Sequence, residues 1–302
     1  MVSTLGTLFA GLIGLAFGSF LNTCASRWPA DEKVTSPRSH CRNCGRTLSW
    51  WENLPVLSWL ALRGRCRTCK APIGWRYLFV ELSVGILWAY CAWHIFSEAP
   101  EIAMGLLDYQ AWMAITSGIA GMIFMWLLVA LAVLDAENLW LPDRLTIPGI
   151  VLGFVLAVAR TLLTLFVHFG GDLAAWKQVF AQMIVVSWFL GAVLPAVVLL
   201  ILRWLYSAIR GQEGMGLGDI KLLSMIGGWI GIKGAALSFG IALGVGIVLS
   251  LILFFVPSAG QKKTRWAVMK LPFGTFLCIG GIVSGFWRDA IFAAYLRLSG
   301  MQ

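Results

Sequence analysis

The feature that most constrains this chain is a series of apolar stretches, each about 20 residues long and nearly free of charged side chains. An α-helix of that length crosses a hydrocarbon layer about 30 Å thick. We predict eight membrane-spanning helices, at approximate positions 4–24, 78–96, 113–134, 145–167, 178–202, 220–235, 237–256 and 272–294. The sixth is the least regular, because glycines crowd it. The expected fold is an all-α polytopic membrane protein.

Composition supports this interpretation and excludes a soluble domain. The 302 residues are 59% hydrophobic and only 12% charged, with a mean hydropathy of +0.83. The net charge of +9 could suggest nucleic acid as a partner. The basic residues, however, fall in particular loops and form no helical stripe, so we expect no nucleic-acid partner and a lipid environment.

The charge distribution predicts the orientation in the membrane. The loop 25–77 holds ten Lys/Arg against three acids, whereas the loop 97–112 holds acids and no base. Because basic loops stay on the cytoplasmic side, loop 25–77 is expected inside and both chain ends outside. The first span lacks a basic leader region, so we expect it to be retained as a helix. The predicted parts are a first helix (1–24), a cytoplasmic loop domain (25–77) and a seven-helix membrane domain (78–302).

Four cysteines form two CxxC pairs, Cys41/Cys44 and Cys66/Cys69, separated by 21 residues. Two such turns supply four sulfur ligands in the tetrahedral arrangement that zinc favours. Two disulfides are the alternative, which an oxidising compartment would favour. Since we expect this loop in the reducing cytoplasm, we predict a structural zinc site. Four protein sulfurs leave no open position for a reacting water.

Two carboxylates, Asp135 and Asp219, are predicted at the same membrane face. Asp135 closes the third span and Asp219 opens the sixth, and the alternation of spans puts both ends inside. Acids at the ends of apolar helices are more often functional than incidental. Asp219 alone could be a helix cap in a glycine-rich loop, and helix capping is our interpretation of Asp143.

Two carboxyl groups a few ångströms apart do not both ionise easily, so they share a proton. One can then activate a water molecule as a base while the other protonates a carbonyl oxygen. This chemistry hydrolyses peptide bonds without a covalent intermediate. The sequence has no GxSxG, HExxH or Walker motif to suggest another mechanism.

The chain resembles the type IV prepilin peptidases, which are integral membrane aspartic proteases with a GxGD signature. The resemblance lies in several ordered blocks: Gly18 to Asn22 with Arg27-Trp28-Pro29, the two CxxC pairs, Trp51 to Pro55, Arg76-Tyr77 with Glu81, Asp135 with Leu141-Pro142-Asp143, Gly214 to Leu223, and Pro272-Phe273-Gly274.

The resemblance implies a two-step activity at the bacterial inner membrane. Members cut precursors of type IV pilins or type II secretion pseudopilins on the cytoplasmic side, after the glycine that ends a basic leader. They then methylate the new amino terminus with S-adenosylmethionine. Asp135 and Asp219 match the family's catalytic pair, and Cys41, Cys44, Cys66 and Cys69 match its tetracysteine set.

Several assignments stay open at this stage. Residues 50–53 are a candidate methyl-donor site or an interfacial aromatic belt with a helix cap, and the leader's positive charge could meet Glu137, Asp143 or Glu213. Glu81 is expected either in a polar pocket or paired with a base. An ion-coupled transporter and a non-catalytic assembly factor bearing zinc are the rival functions; the latter would tolerate Asp→Asn at both acids.

Overall fold

A computed structural model describes residues 2–36, 38–105, 108–168, 184–211, 215–255 and 271–300. Two sequence predictions lie outside the described residues: the start of the fifth span, and Glu213 with Gly214 of the glycine-rich motif.

The described residues form eight α-helices and no β-strand, which confirms the predicted all-α fold. The helices are α1 (Val2–Arg27), α2 (Leu57–Ala61), α3 (Trp75–Glu98), α4 (Tyr109–Asn138), α5 (Asp143–Leu163), α6 (Ile184–Arg210), α7 (Leu217–Phe255) and α8 (Phe273–Leu298). Short 3₁₀ segments lie at Trp28–Ala30, Trp50–Asn53 and Pro100–Met104, and α5 continues into one π-helical turn. All the helices except α2 are long and apolar enough to span a membrane.

The chain divides into two compact units, 1–133 and 134–302, with the boundary inside α4. The division into 1–24, 25–77 and 78–302 stays a prediction. In the first unit, α1 packs along α3 through small residues. A Cβ at Gly18 would lie only 2.7 Å from the Cα of Glu81, so glycine allows the two backbones to approach closely.

Residues 38–74, which we call the loop module, lie between α1 and α3 in the sequence. Two antiparallel bridges, His40 with Thr47 and Arg65 with Pro72, close two small knuckles around the CxxC pairs. The indole of Trp59 packs on the ring of Trp75, the first residue of α3, with 4.5 Å between ring centroids. This contact fastens the second knuckle to the start of a membrane helix.

Helix α7 is a hairpin of two helical sections. Gly231 interrupts it with φ 75° and ψ 173°, a conformation that L side chains rarely adopt. A Cβ at Gly227 would lie 3.2 Å from the Cβ of Ala235, whereas residues eight apart in a straight helix are separated by about 12 Å. The chain therefore reverses direction at Gly231.

Contacts with α8 confirm the reversal. Arg288 donates to the carbonyl of Ile230 at 2.7 Å, Ser238 donates to Ser284 at 3.1 Å, and Gly246 faces Phe276. Residues 232–255 thus run antiparallel to α8, while residues 217–230 run parallel to it.

The hairpin accounts for the difference between seven spanning helices and eight predicted spans. Sections 217–230 and 232–255 correspond to the sixth and seventh predicted spans, and the break lies at Gly231 rather than at the predicted 236. Glycines that crowd the sixth span serve its packing, since Gly227 meets the backbone of Gly191 on α6.

Candidate active site

Asp135 lies in the last turn of α4, and its carboxylate is held by the start of α8. The helix continues to Asn138, one turn beyond the predicted end. Asp135 is 5% exposed, and its Oδ2 accepts hydrogen bonds from the N–H of Thr275 at 2.6 Å and from the Thr275 hydroxyl at 3.0 Å. Thr275 belongs to the first turn of α8, where backbone N–H groups have no partner within the helix. Thr275 therefore fixes the Oδ2 atom of Asp135.

Asp219 lies in the first turn of α7, directly after the glycine-rich segment. It is half-buried, and its carboxylate takes a backbone hydrogen bond from Gly216. A Cβ at Gly218 would lie 3.1 Å from the Cβ of Leu141, so the segment passes close to the residues that follow α4. Glycine at this position allows α7 to begin beside α4.

The structure brings the two predicted acids together within the second unit. The charge of Asp135 acts on Asp219, and both charges act on the fully buried Cys278 of α8. Leu141 touches both sides of the site, because it faces Gly218 and Gly274. The two carboxylates thus occupy one locality, built from α4, α7 and α8.

Gly274 permits the closest approach in this site. A Cβ there would lie 3.0 Å from both Cγ and Oδ2 of Asp135 and 2.9 Å from Cδ1 of Leu141. Such distances are shorter than the separation of about 3.5–4.0 Å that packed carbon atoms prefer. Only a residue without a side chain lets α8 start against the Asp135 carboxylate.

Sequence reasoning missed the roles of Gly274 and Thr275. Pro272-Phe273-Gly274 forms part of the family resemblance without a predicted function, and Thr275 is not among the predicted site residues. The available signal was a glycine and a hydrogen-bonding side chain in the first turn of a predicted helix, a position with unpaired donors.

The predicted helix-capping role of Asp143 is wrong. Asp143 is the first residue of α5, Pro142 precedes it as N-cap, and no side-chain capping bond forms. Both oxygens of Asp143 instead accept from Nζ of Lys221, at 2.7 and 2.8 Å. This ion pair joins the start of α5 to the first section of α7, two residues beyond Asp219, so Asp143 is already neutralised by a cation.

The four predicted zinc ligands converge in the loop module. The sulfurs of Cys41, Cys44, Cys66 and Cys69 all lie within 4.8 Å of one another, and the Cys41 and Cys69 sulfurs are 3.7 Å apart. Sulfurs bound tetrahedrally at 2.3 Å from zinc would be separated by about 3.8 Å. All four thiols are free, so the disulfide alternative is not realised in this structure. The donor set fits a tetrahedral metal ion.

Backbone groups favour the thiolate form at the second knuckle. Hydrogen bonds from the backbone of Cys69 and Thr68 lower the pKa of the Cys66 thiol to about 6. The pKa of Cys69 is also lowered, first by the backbone of Ala71. Because thiolates are the metal-binding form of cysteine, this environment suits a metal site. Cys24, Cys91 and Cys278 are buried, as expected of small core residues.

Glu52 is committed to the structure of the loop module. Arg46 donates to its two oxygens at 2.6 and 3.0 Å, and the N–H of Ser49 donates at 2.8 Å. Hydrogen bonding to Arg46 lowers the pKa of Glu52 to about 2. Glu52 therefore braces the 3₁₀ segment of residues 50–53, and its carboxylate is not available to a methyl donor.

Glu81 joins α3 to the loop module through hydrogen bonds. It is buried, and it accepts from the N–H of Val56 at 2.7 Å and from the side chains of Ser19 and Asn22. Val56 has φ 61°, an uncommon conformation for a β-branched residue. Of the two expectations for Glu81, the described contacts favour a polar pocket over an ion pair.

Comparisons with known proteins cover nearly the whole chain. Residues 12–95 match the family described as the Bacterial Peptidase A24 N-terminal domain, and residues 122–256 match the Type IV leader peptidase family. The prepilin leader peptidase/N-methyltransferase of Stutzerimonas stutzeri is 33% identical, covering 97% of this chain and 94% of that protein. The protein of the same name from Pseudomonas aeruginosa is 32% identical, covering 96% and 93%. That from Aeromonas hydrophila is 31% identical, covering 94% and 92%. No solved structure matches the chain significantly.

Proposed function

The chain belongs to the prepilin leader peptidase/N-methyltransferase family, and from this premise we propose that Asp135 and Asp219 form the catalytic pair of a membrane aspartic endopeptidase. The proposed reaction removes the basic leader of a type IV prepilin or a type II secretion pseudopilin, after glycine, at the cytoplasmic face of the inner membrane. The protein is in any case a multi-pass bacterial membrane enzyme of a protease family.

The observation that carries the proposal is the pairing of two carboxylates that lie 84 residues apart in sequence. Asp135 and Asp219 come from different helices, Leu141 lies against both Gly218 and Gly274, and the charge of Asp135 acts on Asp219. Each is held by the first turn of a helix, Asp135 through Thr275 and Asp219 through its own position in α7. Acids within apolar helices are costly, and pairing them adds to the cost, so such an arrangement favours a functional role.

A pair of this kind hydrolyses an amide in two stages. In the first, the ionised carboxylate takes a proton from water as the water oxygen bonds to the carbonyl carbon, and the protonated carboxyl gives its proton to the carbonyl oxygen. In the second, the tetrahedral intermediate returns a proton from its hydroxyl to one carboxylate, the C–N bond breaks, and the leaving nitrogen receives a proton from the pair. The two groups titrate as a unit, so roles belong to the pair.

An apolar cavity beside the site supports a substrate with a membrane helix. It has a volume of about 400 Å³ and is lined almost wholly by apolar residues of α7 and α8, including Phe273 and Phe276. These two residues flank Thr275 and Gly274, which contact Asp135. A substrate whose apolar helix follows the scissile bond could lie in this cavity while its leader reaches the acids.

Zinc is the metal we assign to the four-cysteine site. The geometry fits tetrahedral sulfur coordination, and four protein ligands would fill that coordination, so zinc would stabilise the loop module and take no part in hydrolysis.

Methylation of the new amino terminus by S-adenosylmethionine is proposed from the relatives' name. The cofactor would supply the methyl group. Of the candidate residues 50–53, Glu52 is the one whose carboxylate is already engaged, by Arg46 and Ser49.

The test is cleavage and methylation of a co-expressed prepilin, followed by mass spectrometry. We expect Asp135→Asn and Asp219→Asn each to abolish leader removal while protein abundance and zinc content stay near normal. Asp289→Asn, which alters an exposed acid of α8, is the matched control and should cleave normally. Full cleavage by either of the first two variants would contradict the proposed pair, whereas a native chain that leaves the prepilin uncut would favour a non-catalytic assembly factor.

A further inference from the structure

The second knuckle carries a cationic cavity that the proposed peptidase function does not use. Its volume is about 400 Å³, and it is lined by Leu62, Arg63, Arg65, Cys66, Arg67 and Lys70. Four of these six residues are cations, and none is an acid. The described lining of the cavity therefore suits an anion.

The cavity lies next to the end of a membrane-spanning helix. The N–H of Gly64 donates to the carbonyl of Trp59 at 2.8 Å, and the N–H of Ile73 donates to the carbonyl of Gly64 at 2.7 Å. Trp59 packs on Trp75, where α3 begins. This short chain of contacts links Arg63 and Arg65, the neighbours of Gly64, to the start of α3, a helix long and apolar enough to span a membrane.

Apolar side chains of α2, which ends directly before the lining residue Leu62, are exposed rather than buried in the loop module. Leu57 and Leu60 of α2 are 64% and 56% exposed, and Trp75 is 63% exposed. A cationic group beside exposed leucine and tryptophan is the pattern of segments that lie in the lipid headgroup region, with apolar side chains inserted and basic side chains at the phosphates.

A simpler role for these cations would be to balance the negative charge of the cysteine thiolates, but the cations outnumber that charge. Four thiolates around one Zn²⁺ carry a net charge of −2, whereas the cavity presents four positive charges from Arg63, Arg65, Arg67 and Lys70. Arg46, on the other knuckle, is already paired with Glu52. The cavity thus has about two positive charges more than the metal site requires.

We propose that this cavity binds the phosphate group of an anionic membrane lipid, while Leu57 and Leu60 rest among the headgroups and upper acyl chains. The exposed apolar residues favour a lipid over a free phosphate ion, because only a lipid supplies apolar surface next to its phosphate. Lipid binding would hold the loop module against the membrane and is independent of the chemistry at Asp135 and Asp219.

The experiment uses the full chain purified in detergent. The midpoint of thermal unfolding is measured while phosphatidylglycerol, phosphatidylcholine of the same acyl chains, or inorganic phosphate is added at constant ionic strength. A ligand that binds only the folded state raises this midpoint as its concentration rises. The variant is Arg63→Gln/Arg65→Gln, and the matched control is Lys33→Gln/Arg38→Gln, which removes two exposed cations from elsewhere in the loop between α1 and α3.

We expect phosphatidylglycerol to stabilise the native chain at concentrations where phosphatidylcholine and phosphate do not. Since each cation near an anionic lipid surface contributes about a fivefold factor in affinity, the Arg63/Arg65 variant should need roughly 25-fold more phosphatidylglycerol. The control variant should respond like the native chain.

Three outcomes would overturn the proposal: equal stabilisation by both lipids, an unchanged response in the Arg63/Arg65 variant, or stabilisation by phosphate alone at the same concentrations. If that variant does not fold, Arg63→Gln/Lys70→Gln provides the same test, because it removes two cations from the same lining and leaves Arg65 next to Cys66 in place.

Discussion

Replacing Gly274 by alanine should disable the site with little effect on the rest of the fold. The added Cβ would lie 3.0 Å from Cγ and Oδ2 of Asp135 and 2.9 Å from Leu141. Ordinary carbon contacts are about 3.5–4.0 Å, so neighbouring atoms must move by roughly 0.5–1 Å. Leu141 can adjust its side chain, but Asp135 is held by two hydrogen bonds from Thr275, the residue next to the substitution.

The expected loss follows from the tolerance of catalytic geometry. A displacement of about 1 Å at reacting groups can lower the rate by about 10²-fold, so we expect Gly274→Ala to lower kcat by roughly 10- to 100-fold. The assay is the rate of leader removal from a purified prepilin by the detergent-solubilised enzyme, followed by mass spectrometry. Protein abundance and the unfolding midpoint should change little.

Gly240→Ala is the matched control for this substitution. A Cβ there would meet no atom within 4 Å, and the position is exposed, in the same unit and on the second section of α7. Its rate should equal that of the native enzyme. A Gly274→Ala enzyme that cleaves within twofold of the native rate would refute the argument that close approach at Gly274 positions Asp135.

Three further outcomes are expected. Thr275→Val removes the hydroxyl that donates to Asp135 and should lower kcat several-fold with KM nearly unchanged, whereas Thr275→Ser should restore the rate. Thr146→Val, at a buried threonine of α5 bonded to a backbone carbonyl, is the control and should have no such effect. An equal loss of rate in Thr275→Val and Thr275→Ser would count against a positioning role. Cys41→Ser should release zinc, measured by elemental analysis, and lower the midpoint of thermal unfolding. Cys24→Ala, at a buried cysteine outside the metal site, is the control and should retain zinc. A zinc-free Cys41→Ser protein of normal stability would argue against a structural metal. Because the pKa of Glu52 is lowered to about 2 from 4.5, the stability that its carboxylate contributes is complete above pH 4.5 and is lost as pH falls towards 2. Hydrogen exchange of the loop module should therefore rise in that pH window in the native chain but not in Glu52→Gln. Identical pH profiles for the two proteins would contradict this.

The sequence was most informative where one physical pattern decides the structure. Apolar length placed the spans, and the spacing of Cys41/Cys44 and Cys66/Cys69 brought four sulfurs together. The meeting of Asp135 and Asp219 followed from counting membrane crossings, because consecutive helices alternate between faces. These inferences need no knowledge of which side chains touch.

Contacts between particular side chains were beyond such reasoning. Lys221 pairs with Asp143, which therefore does not serve as the expected helix cap. The two residues lie 78 positions apart, and nothing in the local sequence links them. Thr275 reaches Asp135 across 140 residues. The turn at Gly231 escaped exact placement because several glycines offered equivalent breaks, and only packing against Gly191 and α8 selects one of them.

The short first arm of the α7 hairpin sets the depth at which hydrolysis would occur. Asp219 lies 12 residues before Gly231, a rise of about 18 Å, and the turn at Gly231 adjoins Lys233, Arg288 and Asp289, charged groups suited to a membrane surface. A hydrocarbon layer is about 30 Å thick, so an acid about 18 Å from one surface of the layer lies inside it, short of the opposite surface, unless the bilayer thins there. With Asp219 in the proposed catalytic pair, water and the scissile amide would meet it below that surface or where the bilayer thins, so turnover should depend on bilayer thickness.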